Sequence, residues 1–287
     1  LNTLLSDNRV GSVQEHLLTQ LSALYEQREA ANIVSELFRH YKGWGRADLL
    51  MHKQDRMTES EILQFHFAGK RLSKGEPLQY ILGKAWFHGL EFNVSPAVLI
   101  PRPETEELVE LIVADFKNQK PSIVDIGTGS GCIPIALKKA MPDTQVSAID
   151  VSADALAIAK QNATLNEVDI AFLQKDILQE DLGELKVDVI VSNPPYIPLG
   201  EKTSMRRQVT DHEPGLALFV PDEEPLLFYE RIVELSKQSL QPNGRVYFEI
   251  HEDMEEELTQ LLEQHGITTF QFVKDMQGKV RMLWYQL

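Results

Sequence analysis

Residues 122–140 read SIVDIGTGSGCIPIALKKA, and the fold turns on how that stretch is read. SIVDIG is a short apolar run closed by glycine, as a buried strand would be, and CIPIALKKA has the apolar spacing of a helix. Between them Gly127, Gly129 and Gly131 stand at a strand-to-helix turn, where missing side chains permit tight bends and a close backbone approach to a ligand. The pattern is GxGxG. Its third glycine comes one residue too early for the dinucleotide fingerprint GxGxxG, and no GK[ST] follows to hold phosphates. The next strand, QVSAID, ends in Asp150, 19 residues beyond Gly131, where a carboxylate can accept from both hydroxyls of a ribose. Together these features suggest an adenosine-type ligand. The plainer alternative is that the glycines only make the turn and Asp150 caps the helix that begins at Ala153.

Outward from this stretch the chain alternates. ETEELVELIVADFKN precedes it as a helix; ADALAIAKQNATLN (helix), IAFLQKD and VDVIVSN (strands), PLLFYERIVELSKQSL (helix) and GRVYFEI (strand) follow. That rhythm predicts an α/β, Rossmann-like, doubly wound parallel sheet. After the helix EDMEEELTQLLEQHG, the runs ITTFQFVKD and KVRMLWYQL predict an antiparallel edge hairpin. Upstream, VQEHLLTQLSALYEQ and EAANIVSELFRHY carry helical spacing, and TESE at 58–61 matches a capping box before ILQFHFAGKRL. WFHGLEFNVSPAVLI, 86–100, switches to strand-type residues broken by Gly89 and Pro96. The predicted division is a helical domain over 1–75, a β-hairpin linker over 76–103 and the sheet domain over 104–287, with the break near residue 80.

Composition narrows the function classes. The chain has 287 residues, 43% hydrophobic and 25% charged, enough for two cores. The net charge is −15; residues 1–80 are balanced at ten Lys/Arg and ten Asp/Glu, and the acidic excess lies later. Phosphate-rich partners need clustered cations, so stable nucleic-acid binding is not expected. No apolar run reaches the ~18 residues of a spanning helix, and LNTLLSDNRV lacks a signal-peptide pattern. One cysteine, Cys132, gives no disulfide framework. The expected address is the cytoplasm, away from membranes.

Two more strand ends face the same edge. Asp176, in QKDIL, either accepts from an exocyclic adenine amine or caps a turn. SNPPYI, 192–197, leaves the strand VDVIV with an amide, two prolines and a ring. Pro194 and Pro195 each fix their own φ and hold the preceding residue extended, so Asn193 and the Pro194 carbonyl become rigid acceptors for a planar NH₂, with Tyr196 as a stacking surface. An amide nitrogen is a poor nucleophile. Two acceptors on its N–H groups would stabilise charge developing on nitrogen and aim its lone pair at an electrophile, for which a methyl sulfonium is suited.

PLQYILG (77–83), FHGLEFNVSPAVLIPRPETEELV (87–109), DIGTGSGCI (125–133), SNPPYI (192–197) and EPGLAL (213–218) together resemble the HemK/PrmC family, across both predicted domains. The resemblance implies an S-adenosylmethionine-dependent protein-(glutamine-N(5)) methyltransferase acting on the GGQ glutamine of class 1 peptide chain release factors. It implies that Gly127, Thr128, Gly129, Ser130 and Gly131 contact the cofactor, that Asp150 binds its ribose, and that Asp176 and Ile177 border the adenine. It also implies that Asn193, Pro194, Pro195 and Tyr196 hold the glutamine, Asn193 adjoining the cofactor as well. NPPY occurs in DNA and RNA exocyclic-amine methyltransferases too, which is the alternative enzyme reading; a non-enzymatic adenosine-binding scaffold is the other.

Arg102 and Glu104 in PRPET are candidates for the pocket wall. EKTSMRRQVTDHEP, 201–214, is long and polar enough for a substrate-contacting lid or for a plain solvated loop. Cys132 reads as a packed helix-start residue, Trp86 and Phe87 as hairpin packing, and His212 is assigned no role. The helical domain is expected to dock the protein substrate.

Overall fold

The computed structural model describes residues 7–287; Leu1–Ser6, the start of the stretch without a signal-peptide pattern, lie outside the described residues. The chain divides into two compact units, residues 1–83 with 207–212, and residues 84–206 with 213–287.

The first unit is helical. Helices α1 (Val10–Leu21), α2 (Gln27–Lys42), α3 (Arg46–Met51), α4 (Glu59–Leu72) and α5 (Leu78–Leu82) enclose a core built around Leu17, Leu37, Phe38, Phe65 and Leu72. TESE is the capping box that its spacing predicts: the Glu61 amide donates to the Thr58 hydroxyl at 3.3 Å and the Thr58 amide to the Glu61 carboxylate at 2.7 Å. Gly43, at φ 70°, closes α2 in the left-handed conformation that ends many helices. The periodic run from residue 13 to 27 is interrupted, α1 stopping at Leu21 before a turn into α2.

The second unit opens with the hairpin β1 (Lys84–Phe87) and β2 (Leu90–Asn93), joined by a two-residue turn with His88 at φ 50° and Gly89 at φ 73°. Phe87 is buried, as expected of hairpin packing, whereas Trp86 is 68% exposed and does not pack there as expected, because neighbours on a strand point to opposite faces. Then follow α6 (Pro103–Asp115), β3 (Ser122–Ile126), α7 (Cys132–Ala140), β4 (Gln145–Asp150), α8 (Ala153–Leu165), β5 (Ala171–Gln174) and β6 (Val187–Ser192). After the two-residue strand β7 (Ile197–Pro198) comes the turn of helix α9 (Arg207–Thr210), which belongs to the helical unit; β8 (Phe219–Val220), α10 (Leu227–Ser239), β9 (Leu240–Glu249), α11 (Glu255–Gln264), β10 (Thr269–Lys274) and β11 (Val280–Gln286) complete the chain.

The main sheet has the order β10-β11-β9-β6-β3-β4-β5, parallel from β9 to β5 and antiparallel at β10-β11-β9. This is the doubly wound sheet with an antiparallel edge hairpin that the alternation predicts. Both faces are buried. Val124, Ile126, Val246 and Phe248 pack with α10 and α11, while Ile123, Val189 and Tyr247 pack with α6 and α7. The chain winds β3-β4-β5 one way and returns to β6 on the other side of β3, which creates a crevice at the carboxyl ends of β3 and β6.

Candidate active site

A cavity of about 290 Å³ opens at that edge, lined by the loops after β3, β4, β5 and β6 and by residues leading into α6. Its size and place are those of a small-molecule site in an open α/β sheet. Gly127, Thr128, Gly129 and Ser130 form one wall, Asp150 the next, then Asp176 with Ile177, and Asn193, Pro194 and Pro195 the last.

The glycine loop is held from behind. The amides of Gly127 and Thr128 donate to the Ile149 carbonyl at 2.9 and 3.0 Å, and the Gly129 amide donates to Asp150 Oδ2 at 2.8 Å. A side chain added at Gly127 or Gly129 would meet no protein atom within 4 Å, so each position is open on the ligand side, and both lie at positive φ. Asp150 accepts from the Ser152 amide with its other oxygen at 2.9 Å. Burial pushes its carboxyl up, opposed by those backbone donors. The cap of α8 is Ser152, whose hydroxyl accepts from Ala155, so the plainer reading of Asp150 does not describe it. Asp176 accepts from the Leu178 amide at 3.0 Å, as a turn cap does, and it also lines the cavity.

Two expected site residues lie outside the cavity wall. Gly131 caps α7 at φ 80°, where an added Cβ would come within 3.1 Å of Ala159 Cβ and Ile135 Cδ1; its constraint is helix packing. The Tyr196 ring packs against the core and lies 6.0 Å from the His251 ring, with burial pushing its phenol up to about 12. Of the other candidates, Arg102 and Cys132 line the cavity and Glu104 does not. Burial pushes the Cys132 thiol up to about 12, which disfavours a thiolate there. In segment 201–214 the next-to-last residue, Glu213, is buried; it accepts from Arg102 at 2.6 Å and from the Ile100 amide at 3.2 Å.

Four residues escaped the sequence reading. Asp125 is fully buried beneath the glycine loop, neither oxygen having a partner at standard hydrogen-bonding geometry. Burial pushes it to about 7, with the Thr128 hydroxyl as partial offset. Thr105 donates to Glu249 Oε2 at 2.6 Å and accepts from Asn193 Nδ2 at 3.3 Å. Glu249, 3% exposed, is likewise raised by burial to about 7. Asn162, on α8, clasps both ends of Asn93 and also donates to the Ser130 carbonyl at 2.9 Å, tying hairpin and glycine loop to one helix. An acid closing an apolar strand, the signal used for Asp150, also marks Glu249; Thr105 and Asn162 carry none.

The wall suits a cationic nucleoside. Both cations lining it are engaged elsewhere, Arg102 with Glu213 and Lys175 with Glu180 and the Asp181 carbonyl, which leaves Asp150, Asp154 and Asp176 to set its charge. Sheet order, crevice and acidic wall together define a methyltransferase of the Rossmann-like class. In agreement, residues 104–210 match the family described as methyltransferase small domain, and residues 15–83 match the PrmC N-terminal domain.

A release factor glutamine methyltransferase of Flavobacterium psychrophilum is 44% identical over 92% of this chain and 94% of its own length, and one of Bacteroides thetaiotaomicron 48% over 74% and 77%. The chain belongs to the release factor glutamine methyltransferase family. The hMettl16 catalytic domain, in complex with an RNA hairpin, superposes with a TM-score of 0.56 at 17% identity, covering 79% of this chain and 82% of that one. The T. thermophilus 16S rRNA methyltransferase RsmC, in complex with AdoMet and guanosine, gives 0.52 at 18%, covering 71% and 49%. At such identities they share the fold. Among the described residues no helix is long and apolar enough to cross a membrane.

Proposed function

We propose that this chain transfers a methyl group from S-adenosylmethionine to the side-chain amide nitrogen of the GGQ glutamine in class 1 peptide chain release factors. The observation that carries this reading is the near full-length likeness to proteins of that name. S-adenosylmethionine supplies an electrophilic methyl on a sulfonium. The chain's residues do the rest: the backbone of Gly127–Ser130 approaches closely, with Gly131 closing the turn into α7, Asp150 accepts from the ribose hydroxyls, and Asp176 with Ile177 borders the adenine. Asn193 Oδ1 and the Pro194 carbonyl accept from the two N–H groups of the glutamine, which favours charge developing on its nitrogen. Pro195 stiffens that turn, and Tyr196, packed beneath it, supports the loop rather than offering a free stacking face.

The first test is incubation with methyl-labelled S-adenosylmethionine and either a class 1 release factor or nucleic acid. Label in the release factor, lost when its GGQ glutamine is replaced, is expected; label in nucleic acid would favour the exocyclic-amine reading, and label in neither a scaffold. The helical unit is proposed to dock the release factor. It exposes Leu50 (77%) and Met51 (70%) on α3. Leu50→Asp with Met51→Asp is expected to raise KM for the release factor severalfold while leaving cofactor affinity unchanged.

A further inference from the structure

Thr105, Asn193 and Glu249 come from three distant segments: the first turn of α6, the residue after β6 and the last residue of β9. Thr105 and Glu249 are buried, at 2% and 3% exposure; Thr105 and Asn193 both line the cavity, and Glu249 does not. Their hydrogen bonds have a direction. An ionised carboxylate can only accept. The Thr105 hydroxyl therefore spends its one proton on Glu249, at 2.6 Å, and meets Asn193 as an acceptor, at 3.3 Å. The Asn193 group turned inward must then be its NH₂, and the end left for the cavity is Oδ1.

Without that polarity an asparagine side chain is nearly two-fold symmetric in shape, and a half-turn would present NH₂ to the cavity. A donor there would oppose the N–H groups of an amide substrate. We propose that Glu249, acting through Thr105, is the positioning residue that holds Asn193 with its carbonyl oxygen toward the methyl-accepting nitrogen. This rests on the function proposed above and adds two residues to its machinery, Thr105 on the cavity wall and Glu249 behind it.

The surroundings of Glu249 make the device sensitive to pH. Arg281 favours its charge but is shared with Asp275 and Glu252, while Glu104 opposes it. The phenols of Tyr196 and Tyr229 and the thiol of Cys132 also face it, all held neutral by burial, and the Tyr229 hydroxyl donates to its main-chain carbonyl at 3.0 Å. His251 lies two residues on, its ring against Tyr196. Desolvation dominates and the carboxyl sits at about 7. Once protonated, Glu249 can donate to Thr105, whose hydroxyl is then free to donate to Asn193 and admit the flipped amide. Turnover should therefore rise with pH through about 7 as one proton leaves.

The test compares variants of the full chain with wild type, using S-adenosylmethionine and a class 1 release factor. Glu249→Gln, whose amide can donate or accept, should lower kcat at least tenfold, keep cofactor Kd within twofold and KM for the release factor within threefold, and lose the pH step. Thr105→Val should match it, Thr105→Ser should retain kcat within threefold, and the double variant Glu249→Gln with Thr105→Val should be no worse than either alone. Wild-type kcat and pH profile in Glu249→Gln, or an active Thr105→Val, would overturn the proposal. Should Glu249→Gln fail to fold, the Thr105→Ser and Thr105→Val pair, which differ at the hydroxyl, decides. Failure of the functional reading shows separately, as a wild-type chain that does not label release factor. In that case proton exchange of the Asn193 side-chain NH₂, slow in wild type and at least tenfold faster in Thr105→Val, still reads the relay; equal exchange would reject it.

Discussion

The loops after β3 and β6 lie side by side at the same edge of the sheet and are built on opposite principles. Residues 127–131 use glycine, with φ of 76°, 53° and 80° at the three positions, so that backbone can come where a side chain would stand. Residues 193–196 use two prolines, so that the backbone cannot go elsewhere. Each loop sits over a buried carboxyl, Asp125 under the first and Glu249 under the second, both raised to about 7. One edge thus meets two demands: close approach calls for absent side chains, and directed hydrogen bonding calls for fixed acceptors.

The sharpest way to break the contrast is Asn193→Ala. If the second loop acts on the reacting nitrogen, turnover should fall by more than a hundredfold, the cost of about 3 kcal/mol expected on losing one oriented polar contact in a transition state, while cofactor affinity stays within about tenfold. Near-normal turnover would refute the assignment.

Next in size is the pH dependence of stability, which treats both loops alike. The native state holds the protons of Asp125 and Glu249 to about 7, against ordinary values of 3.8 and 4.5, so it binds them more tightly than the unfolded chain does. Stability therefore falls as pH rises from about 4 toward 7, by an amount on the order of 3 kcal/mol for each carboxyl. Denaturant midpoints for the unliganded protein should show this slope, and Asp125→Asn or Glu249→Gln should each remove its own share. An unchanged slope would mean that these carboxyls are not held protonated.

A smaller effect separates glycines within one loop. Gly129→Ala should raise cofactor Kd about tenfold, its methyl standing on the ligand side, and cost about 1 kcal/mol of stability from the left-handed backbone. Gly131→Ala should do the reverse, losing about 2 kcal/mol to the contacts with Ala159 and Ile135 while cofactor Kd changes little. Parallel binding and unfolding titrations would expose any exchange of these roles. Smallest of all, Pro195→Ala should cost below about 1 kcal/mol of stability, through added freedom in the unfolded chain, and lower turnover only severalfold. A loss as large as that of Asn193→Ala would show that rigidity outweighs the acceptor.

Much of this was legible because it is local. Strand, loop and helix around Gly127, the capping box at Thr58 and the hairpin at His88–Gly89 are each set by residues within a few positions of one another. Asp150 and Asn193 were legible through one topological rule, that ligands gather at strand carboxyl ends. The same rule applied to FEI would have marked Glu249, but an acid closing a strand beside three aromatic and aliphatic neighbours looks like ordinary edge polarity until its burial is known. Tyr196 went the other way: its sequence position suits a stacking face, while its packing against the core removes it from the cavity wall.

The sequence by itself determined the order of elements, the edge on which the site lies and the residue types offered there, since periodicity, turn chemistry and strand ends are properties of short segments. Only the tertiary structure decided which groups meet. Thr105 and Glu249 are 144 residues apart, and the depth that raises Glu249 and gives the Asn193 amide its direction is a property of the packed sheet, where desolvation and hydrogen-bond polarity are set by neighbours that no local pattern names.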